Sequence, residues 1–222
     1  MIEFKNISLY NDLWEKGIIT EPVVICIGGY AGTGKSTVAA AIQQHLNYTN
    51  LLPTGIIRSV EQKFTNRTHT PSMFEHTYNL YKLCSDENSE QEIWTKFLEQ
   101  AEPISATINI VLKFISTEKQ HFILDGNHIL PNRIKDRNDL IYLEVYNQVS
   151  EPEAHRIMLG GASHNRTLNQ KQFETARILH SKIIEEVRQK NGYLFEFSES
   201  PFEVLQLLEN KIEDYLTSKQ YI

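Results

Sequence analysis

The amino-acid sequence predicts an α/β fold in which a five-stranded, doubly wound parallel sheet carries helices on both faces. The first observation is that apolar strand-like segments alternate with helical segments along the chain. The second is residues 22–29, PVVICIGG, a continuous apolar run typical of a strand buried on both faces of a parallel sheet. The third is the glycine-rich turn after this run, which leads directly into a helical pattern at 36–46.

The individual elements follow from the same patterns. Residues 1–21 are predicted to form a short helical or irregular leading segment. Strands are predicted at 22–29, 49–54, 121–126, 139–146 and 193–200. Helices are predicted at 36–46, 56–64, 71–83, 152–161, 171–190 and 201–217. A further long helix is predicted at 89–117, where we expect Pro103 to introduce a kink or an interruption.

Composition limits the class of protein. The 222 residues are enough for one domain with a real core, so we expect a single domain over 1–222. A formal charge of -6 argues against nucleic acid as a partner, and two cysteines are too few for a disulfide framework. The sequence contains no apolar run of membrane-spanning length, so no membrane partner is expected. It also has no signal-peptide pattern, so the cytoplasm is the expected compartment.

A phosphate-binding motif follows the first predicted strand. Residues 29–36 read GYAGTGKS and match G-x-x-x-x-G-K-[ST] at every fixed position. Glycines let successive backbone N–H groups curl around an anion, and the following helix N-terminus adds its positive end. We therefore predict a P-loop that binds ATP through Gly29, Tyr30, Ala31, Gly32, Thr33, Gly34, Lys35, Ser36 and Thr37.

Lys35 is the candidate catalytic residue of this loop. We expect it to reach the β- and γ-phosphates and to face the ligand rather than the core. The alternative interpretation is a glycine turn that merely packs well, but that interpretation leaves the Lys35–Ser36 pair without a role.

A P-loop also needs an acidic partner at the end of another buried strand. Residues 121–125, HFILD, supply Asp125, which is predicted to hold Mg²⁺ together with the Ser36 hydroxyl. Asp125 could instead cap a turn, since Asp-Gly is a turn signal. Glu144 is the competing carboxylate, but more strand rather than a polar turn follows it.

These motifs together resemble P-loop small-molecule kinases, specifically proteins of the 2-phosphoglycerate kinase type and, more distantly, zeta-toxin-like kinases. The resemblance rests on residues 28–39, GGYAGTGKSTVA, residues 51–60, LLPTGIIRSV, and residues 123–131, ILDGNHILP. It implies transfer of the ATP γ-phosphate to a hydroxyl of a small, anionic acceptor such as 2-phosphoglycerate. Gly55 and Asp125 depart from the family pattern, which usually has an acidic residue and often a glutamate at these positions.

The acceptor is expected beside the P-loop, where the parallel strands end at the topological switch point. Thr54 and Arg58 follow the second strand, and Arg58 is predicted to clamp an anionic group of the acceptor. Asn127 and His128 follow Asp125 and are predicted to hydrogen-bond the acceptor. The alternatives are a solvated helix arginine at 58 and a loop histidine at 128 that pairs with backbone.

Kinases of this type close a lid over the phosphates, and a small helical lid is expected at 152–190. Arg156 and Arg166 are the candidate catalytic arginines, and Arg166 is expected to grip the transferring phosphoryl group. The alternative is an ordinary helix-loop-helix surface with solvated charges.

Two other functions use the same motifs. A nucleotide, nucleoside or RNA-end kinase is compatible with a P-loop, although no basic, aromatic-interleaved stripe supports the RNA version. A nucleotide-dependent switch of the GTPase kind needs an N-K-x-D segment, and residues 132–136, NRIKD, do not match it. The sequence specifies neither the acceptor nor an oligomeric state.

Overall fold

The computed structural model describes residues 4–135, 137–160 and 167–222. Within these residues the strands are β1 Val23–Gly28, β2 Thr49–Pro53, β3 His121–Asp125, β4 Ile141–Gln148 and β5 Tyr193–Glu196. They form one sheet in the order β2-β3-β1-β4-β5, and every neighbouring pair is parallel. The predicted five-stranded parallel sheet is therefore confirmed.

Helices cover both faces of this sheet, as predicted. In the described part of the chain the α-helices are α1 Lys5–Glu15, α2 Lys35–His45, α3 Thr54–Phe64, α4 Glu90–Glu118, α5 Pro152–Leu159, α6 Gln170–Gln189 and α7 Ser200–Ser218. All six residues of β1 are buried, and their side chains alternate between two apolar clusters. Val24 and Cys26 pack with α4 and α6, whereas Ile25 and Ile27 pack with α1, α2 and α7. No described helix has the length and apolarity that crossing a bilayer requires.

The long helix α4 forms where it was predicted and runs through Pro103, so the alternative of an interruption there is wrong and the kink stays a prediction. Proline removes one backbone donor from a helix. Here the residues around it, Ala101, Ile104 and Ile108, are fully buried in the core. Burial of this helix face offsets the missing hydrogen bond, since tertiary packing supplies most helical stability in proteins.

The segment 71–83 also differs from the single helix predicted there. It forms two 3-10 helices, Pro71–Phe74 and Thr77–Leu83, and Glu75 between them is extended. Side chains from other helices donate to backbone carbonyls that would accept hydrogen bonds within an α-helix. Arg58 donates to the Met73 and Glu75 carbonyls, and Gln100 donates to the Glu75 carbonyl. These contacts from α3 and α4 stabilise the bent segment beside the carboxyl ends of the strands.

The strand order creates a switch point at β1. From β1 the chain continues to β2 on one side, and from β3 it crosses β1 to reach β4 on the other side, so the direction of the connections reverses at β1. Ligands of open α/β sheets bind at such a point, outside the carboxyl ends of the strands. In this protein Ile27 of β1 is paired with Asp125 of β3, so the P-loop and the acidic strand end meet at one edge.

Candidate active site

A cavity of about 790 Å³ lies at this edge of the sheet. Its P-loop wall consists of residues 31–37, and its opposite wall comes from β2, α3, the segment 76–78 and the residues after β3. The predicted residues that line it are Ala31, Gly32, Thr33, Gly34, Lys35, Ser36, Thr37, Thr54, Arg58, Asp125, Asn127 and His128. The structure thus brings together most of the site that the sequence predicts.

The P-loop backbone has the conformation that anion binding requires. Gly29 has a φ of 122° and lies against the Asn147 backbone, where a Cβ would collide with the Asn147 carbonyl oxygen. Gly34 has a φ of 77° and caps the N-terminus of α2. None of the backbone N–H groups of residues 31–36 has an acceptor within the part of the chain that the structure describes. A row of unpaired donors at a helix N-terminus is a binding site for phosphate groups.

Two of the predicted P-loop contacts lie outside the cavity lining. Gly29 contacts β4 as described, and the Tyr30 side chain is fully buried in the core. The Tyr30 hydroxyl is 2.9 Å from the Thr77 hydroxyl, and its carbonyl accepts a hydrogen bond from the Thr33 hydroxyl. Gly29 and Tyr30 therefore stabilise the conformation of the P-loop and do not face the cavity.

Lys35 is more buried than the sequence suggests. Only 8% of the residue is exposed, and its Nζ donates to the Tyr30 carbonyl at 2.7 Å. The loop folds the ammonium group of Lys35 back onto its own backbone, and Lys35 belongs to neither apolar cluster of the core. Burial lowers the pKa of Lys35 to about 8, while the Asp125 charge acts in the opposite direction. Lys35 lines the cavity, the side on which the sequence places it.

Asp125 and Ser36 provide oxygen ligands of the kind that Mg²⁺ prefers. The Ser36 residue is exposed at the start of α2, and Asp125 lines the same cavity. The Asp125 Oδ1 atom is buried and has no hydrogen-bond partner among the described residues. Burial raises the pKa of Asp125, and Lys35 partly offsets this effect. An unpartnered carboxylate oxygen on a residue that lines the same cavity as Ser36 and Lys35 fits a metal-binding role.

The competing carboxylate, Glu144, lies elsewhere. It is opposite Cys26 within the sheet and accepts hydrogen bonds from the Tyr142 and Tyr146 hydroxyls. Burial raises its pKa. Both of its oxygens are thus occupied by neighbours on its own strand, and it does not line the P-loop cavity. The geometry favours Asp125, as the sequence suggests.

Thr54 and Gly126 form the floor between the two strand ends. Thr54 is 1% exposed, and a Cβ at Gly126 would collide with the Thr54 hydroxyl. The Gly126 N–H also donates to the Ile27 carbonyl at 3.1 Å. Gly126 therefore permits the close contact that positions Asn127 and His128.

We expect Gly126→Ala to lower the free energy of unfolding by about 1–3 kcal/mol, because the new methyl group overlaps Thr54. Urea unfolding followed by circular dichroism measures this loss. Gly55→Ala is the matched control, since a Cβ at Gly55 has no neighbour within 4 Å. Equal stability of both variants would contradict the close contact.

Arg58 lines the cavity and is also tied to the protein itself. Its Nε donates to the Met73 carbonyl at 3.1 Å, and its Nη2 donates to the Glu75 carbonyl. Burial lowers its pKa, while the nearby Glu75 acts in the opposite direction. The solvated-arginine alternative is therefore wrong, because this side chain connects α3 to the segment 71–83 at the cavity wall.

His128 is 4% exposed, and its ring stacks on Phe97. Its Nε2 lies 3.2 Å from the Gln100 Oε1, and the Gln100 amide nitrogen donates to the Glu75 carbonyl at 2.9 Å. This bond sets the orientation of the Gln100 amide, so the His128 Nε2 is the donor. Burial, assisted by the Arg58 and Lys35 charges, lowers the pKa of His128 to about 3. The imidazole is neutral at physiological pH.

Arg156, one of the two predicted lid arginines, does not line this cavity. The Arg156 guanidinium stacks over the Phe173 ring at 3.9 Å and donates to the Gln170 side chain at 3.0 Å, so it extends toward α6. Arg166 lies outside the described residues. The lid itself stays a prediction.

Sequence reasoning missed several residues that the structure brings to the cavity. His76 and Tyr78 stack on each other with ring centroids 5.1 Å apart, and both line the wall near Arg58. Ser59, Thr77, Ile157 and Met158 also line the cavity. Gln100 and Asn147 contribute from behind, through hydrogen bonds to His128 and to the Thr33 carbonyl. No local pattern marks these positions, because the contacts join distant parts of the chain.

Comparison with known proteins points to the same class of protein as the motifs do. No family model matches the chain. The chain is 30% identical over 178 residues to the 2-phosphoglycerate kinase of Methanopyrus kandleri, an alignment that covers 76% of this chain and 54% of that protein. It is 28% identical over 186 residues to the 2-phosphoglycerate kinase of Methanocaldococcus jannaschii, which covers 80% of this chain and 59% of that protein. The predicted resemblance to 2-phosphoglycerate kinase-type proteins is therefore confirmed.

The curated relatives are longer than this chain, and the solved structure is a distant neighbour. The chain spans about half the length of the curated relatives it matches. Among solved structures, shikimate kinase from Acinetobacter baumannii in complex with shikimate is similar at a TM-score of 0.46 and 14% identity, over 92% of this chain and 97% of that chain. That level of structural likeness supports no functional assignment. The parallel sheet and the P-loop geometry of this chain carry the fold assignment.

Proposed function

We propose that this chain is an ATP-dependent kinase that transfers the γ-phosphate to a hydroxyl of a small, anionic acceptor, with 2-phosphoglycerate as the first candidate. The observation that carries this proposal is the single cavity shared by the P-loop, the Asp125 carboxylate and the Arg58 guanidinium. The resemblance to archaeal 2-phosphoglycerate kinases supports the choice of acceptor.

The P-loop supplies the phosphate-binding half of the reaction. The unpaired N–H groups of residues 31–36 would hold the β- and γ-phosphates, and Lys35 would neutralise charge on them. Phosphoryl transfer needs little covalent help from the protein, so positioning and charge stabilisation account for most of its catalysis. These backbone groups act without reorganisation because the glycine conformations already orient them.

Ser36 and Asp125 would hold Mg²⁺ together with phosphate oxygens and water. Within the described residues no group of three or more His, Cys, Asp or Glu side chains could hold a metal ion alone. That is consistent with Mg²⁺ sites of nucleotide enzymes, which use one or two protein ligands plus the substrate. When bound, Mg²⁺ would neutralise negative charge on the β- and γ-phosphates.

The wall opposite the P-loop would bind the acceptor. Arg58 contributes a cation suited to a phosphate or carboxylate group. Neutral His128 and Asn127 contribute hydrogen-bonding groups for hydroxyls. A cavity that has both a cation and neutral polar groups suits an acceptor that bears an anionic group and a hydroxyl.

An acceptor panel tests the proposal directly. Purified protein with ATP and Mg²⁺ is incubated separately with 2-phosphoglycerate, 3-phosphoglycerate, nucleosides, sugar derivatives and RNA 5′-hydroxyl ends, and ADP release is measured against an acceptor-free control. We expect turnover with 2-phosphoglycerate and no turnover with RNA. Turnover with nucleosides alone would contradict the proposed anionic acceptor. Absence of phosphoryl transfer from ATP to any acceptor would contradict the proposed kinase activity.

The fall of kcat/KM for ATP at alkaline pH is expected to follow the deprotonation of Lys35. Because the pKa of Lys35 is about 8, the lysine loses its charge as the pH rises through this value. Above that value kcat/KM for ATP should fall by about tenfold per pH unit, since kcat/KM follows ionisations of the free enzyme. Rates from pH 6.5 to 9.5 measure this, with circular dichroism as a check on folding. A flat profile over this range would contradict a charged-lysine requirement.

Arg58→Lys is expected to raise KM for the acceptor by about tenfold and to leave KM for ATP within about twofold. Lysine cannot bond the Met73 and Glu75 carbonyls and still present a planar pair of donors to an anion. Steady-state kinetics with each substrate varied in turn measures both constants. The matched control is Arg188→Lys at an exposed position of α6. A change in KM for ATP without a change in KM for the acceptor would contradict the acceptor-binding role of Arg58.

A further inference from the structure

A buried histidine contacts the P-loop from α5. His155 is 0% exposed, and its Nε2 lies 2.8 Å from the Ala31 carbonyl oxygen. Its Nδ1 lies 3.2 Å from the Arg177 Nη1 of α6. Arg177 itself donates to the Val149 carbonyl at 2.9 Å and to the Ser150 carbonyl at 3.3 Å. A continuous set of hydrogen bonds therefore connects the end of β4 and α6 to the P-loop through one imidazole.

The two neighbours specify the protonation state of this ring. A carbonyl oxygen only accepts hydrogen bonds and a guanidinium group only donates them. His155 must therefore carry its proton on Nε2, donate it to Ala31, and accept from Arg177 at Nδ1. A second proton would remove the Arg177 bond and bring two cations together. Burial lowers the pKa of His155 to about 4, and Arg177 and Lys35 act in the same direction.

The Ala31 carbonyl matters because of the peptide plane to which it belongs. In a trans peptide the C=O of one residue and the N–H of the next point in opposite directions within one plane. The described chain contains no cis peptide bond. A hydrogen bond that holds the Ala31 carbonyl toward α5 therefore also sets the direction of the Gly32 N–H. Gly32 lines the cavity, and its N–H has no acceptor among the described residues.

The end of α5 reinforces this arrangement. A Cβ placed on Gly32 would lie 3.0 Å from both the Leu159 backbone nitrogen and its Cγ. Ile157 and Met158 of the same helix line the cavity beside the loop. The Ala31–Gly32 peptide thus lies between α5 and the cavity, and α5 closes the space on the side away from the cavity.

We propose that His155 is a positioning residue for the phosphate cradle, which orients the Ala31–Gly32 peptide through a neutral ring held in one tautomer by Arg177. This inference rests on the proposed binding of ATP phosphates by the P-loop. His155 touches no substrate, and its effect passes through the Gly32 N–H.

Three variants separate positioning from general stability. His155→Leu removes both hydrogen bonds and is expected to raise Kd and KM for ATP about tenfold, with KM for the acceptor unchanged. His155→Gln can donate to Ala31 and accept from Arg177, so ATP affinity should return to within about threefold of wild type. His180→Leu is the matched control: His180 is equally buried 4.8 Å from the His155 ring, but it bonds the Val149 N–H rather than the P-loop. It should lower Tm and leave Kd for ATP within about twofold.

The tautomer is measurable without any enzymatic assay. In wild-type protein labelled with ¹⁵N-histidine, we expect the His155 Nδ1 resonance of an unprotonated nitrogen and the Nε2 resonance of a protonated one, unchanged from pH 5.5 to 8. Arg177→Met removes the donor to Nδ1 and should allow the other tautomer to appear. Because this readout needs only the folded wild-type chain and the Arg177→Met variant, it applies even where His155→Leu fails to fold.

The outcomes distinguish this inference from the proposed function. Wild-type protein that binds no ATP would overturn the proposed function and the phosphate role of the cradle with it. Wild-type protein that binds ATP, combined with equal ATP affinity in His155→Leu or a protonated Nδ1, would overturn the positioning role alone. A loss of affinity in His180→Leu as large as in His155→Leu would assign the effect to packing and also overturn it.

Discussion

Lys35→Met is expected to reduce kcat/KM for ATP by about 10³-fold or more while the protein stays folded, since a P-loop cation acts on charge that develops in phosphoryl transfer. Methionine keeps the apolar stem of the buried side chain and removes the ammonium group. Lys35 also donates to the Tyr30 carbonyl, but that oxygen keeps its hydrogen bond from the Thr33 hydroxyl. The loop therefore retains an internal contact when the lysine is absent.

Lys35→Met should not lower the stability of the protein, because the lowered pKa of Lys35 shows that its buried charge opposes folding. The folded pKa of Lys35, about 8, is below the ordinary lysine value of 10.5. The buried charge therefore disfavours folding at neutral pH, and this cost diminishes as the pH rises from about 8 toward 10.5. Lys35→Met removes the cost, so at pH 7 we expect a Tm equal to or above that of wild type.

Steady-state kinetics and thermal unfolding of Lys35→Met test both expectations. Lys113→Met, at an exposed position of α4, is the matched control and should change neither quantity. Wild-type turnover in purified Lys35→Met would reject the P-loop assignment. A large fall in Tm would instead show that the ammonium group stabilises the loop.

Asp125→Asn is expected to lower kcat by about 10²–10³-fold and to weaken ATP binding much less. The substitution preserves shape and removes the charge that would hold Mg²⁺ with Ser36. It also removes the carboxylate that raises the pKa of Lys35. The alkaline limb of the pH profile should therefore move below its wild-type position near pH 8.

A Mg²⁺ titration of kcat, calorimetric ATP binding and the pH profile measure these three effects. Glu144→Gln is the matched control, because that carboxylate bonds Tyr142 and Tyr146 outside the cavity. It should lower stability and keep kcat. Unchanged rates in Asp125→Asn with a loss in Glu144→Gln would transfer the metal role to Glu144.

Local patterns in the sequence predicted the regular elements because each pattern lies within a short window. The fully apolar run of β1 predicted a strand buried on both faces, and the structure buries all six of its residues. The strand-glycine-helix order predicted the P-loop, and Gly29, Gly32 and Gly34 in this loop have positive φ angles. The segment 71–83 was predicted less well, because carbonyl contacts from Arg58 and Gln100 override its local helical pattern.

Some residues of the candidate site are also marked by local motifs, whereas others depend on contacts between distant parts of the chain. Lys35, Ser36 and Asp125 were identifiable because a motif and a strand end mark them. The orientation of Arg156 was not, since its contact with Phe173 depends on how α5 meets α6. The contributions of His76, Gln100 and His155 were also hidden, because each acts through a partner that lies elsewhere in the chain.

The sequence by itself determined the P-loop, the buried strand before it and the acidic strand end, because hydrophobic periodicity and glycine conformations are properties of neighbouring residues. Only the tertiary structure decided which carboxylate faces the P-loop, where Lys35 directs its charge and which histidine supports the cradle. Those outcomes depend on strand order and on contacts such as that between His155 and Ala31, which are 124 positions apart. Burial and hydrogen bonding across the assembled sheet, rather than local preference, select them.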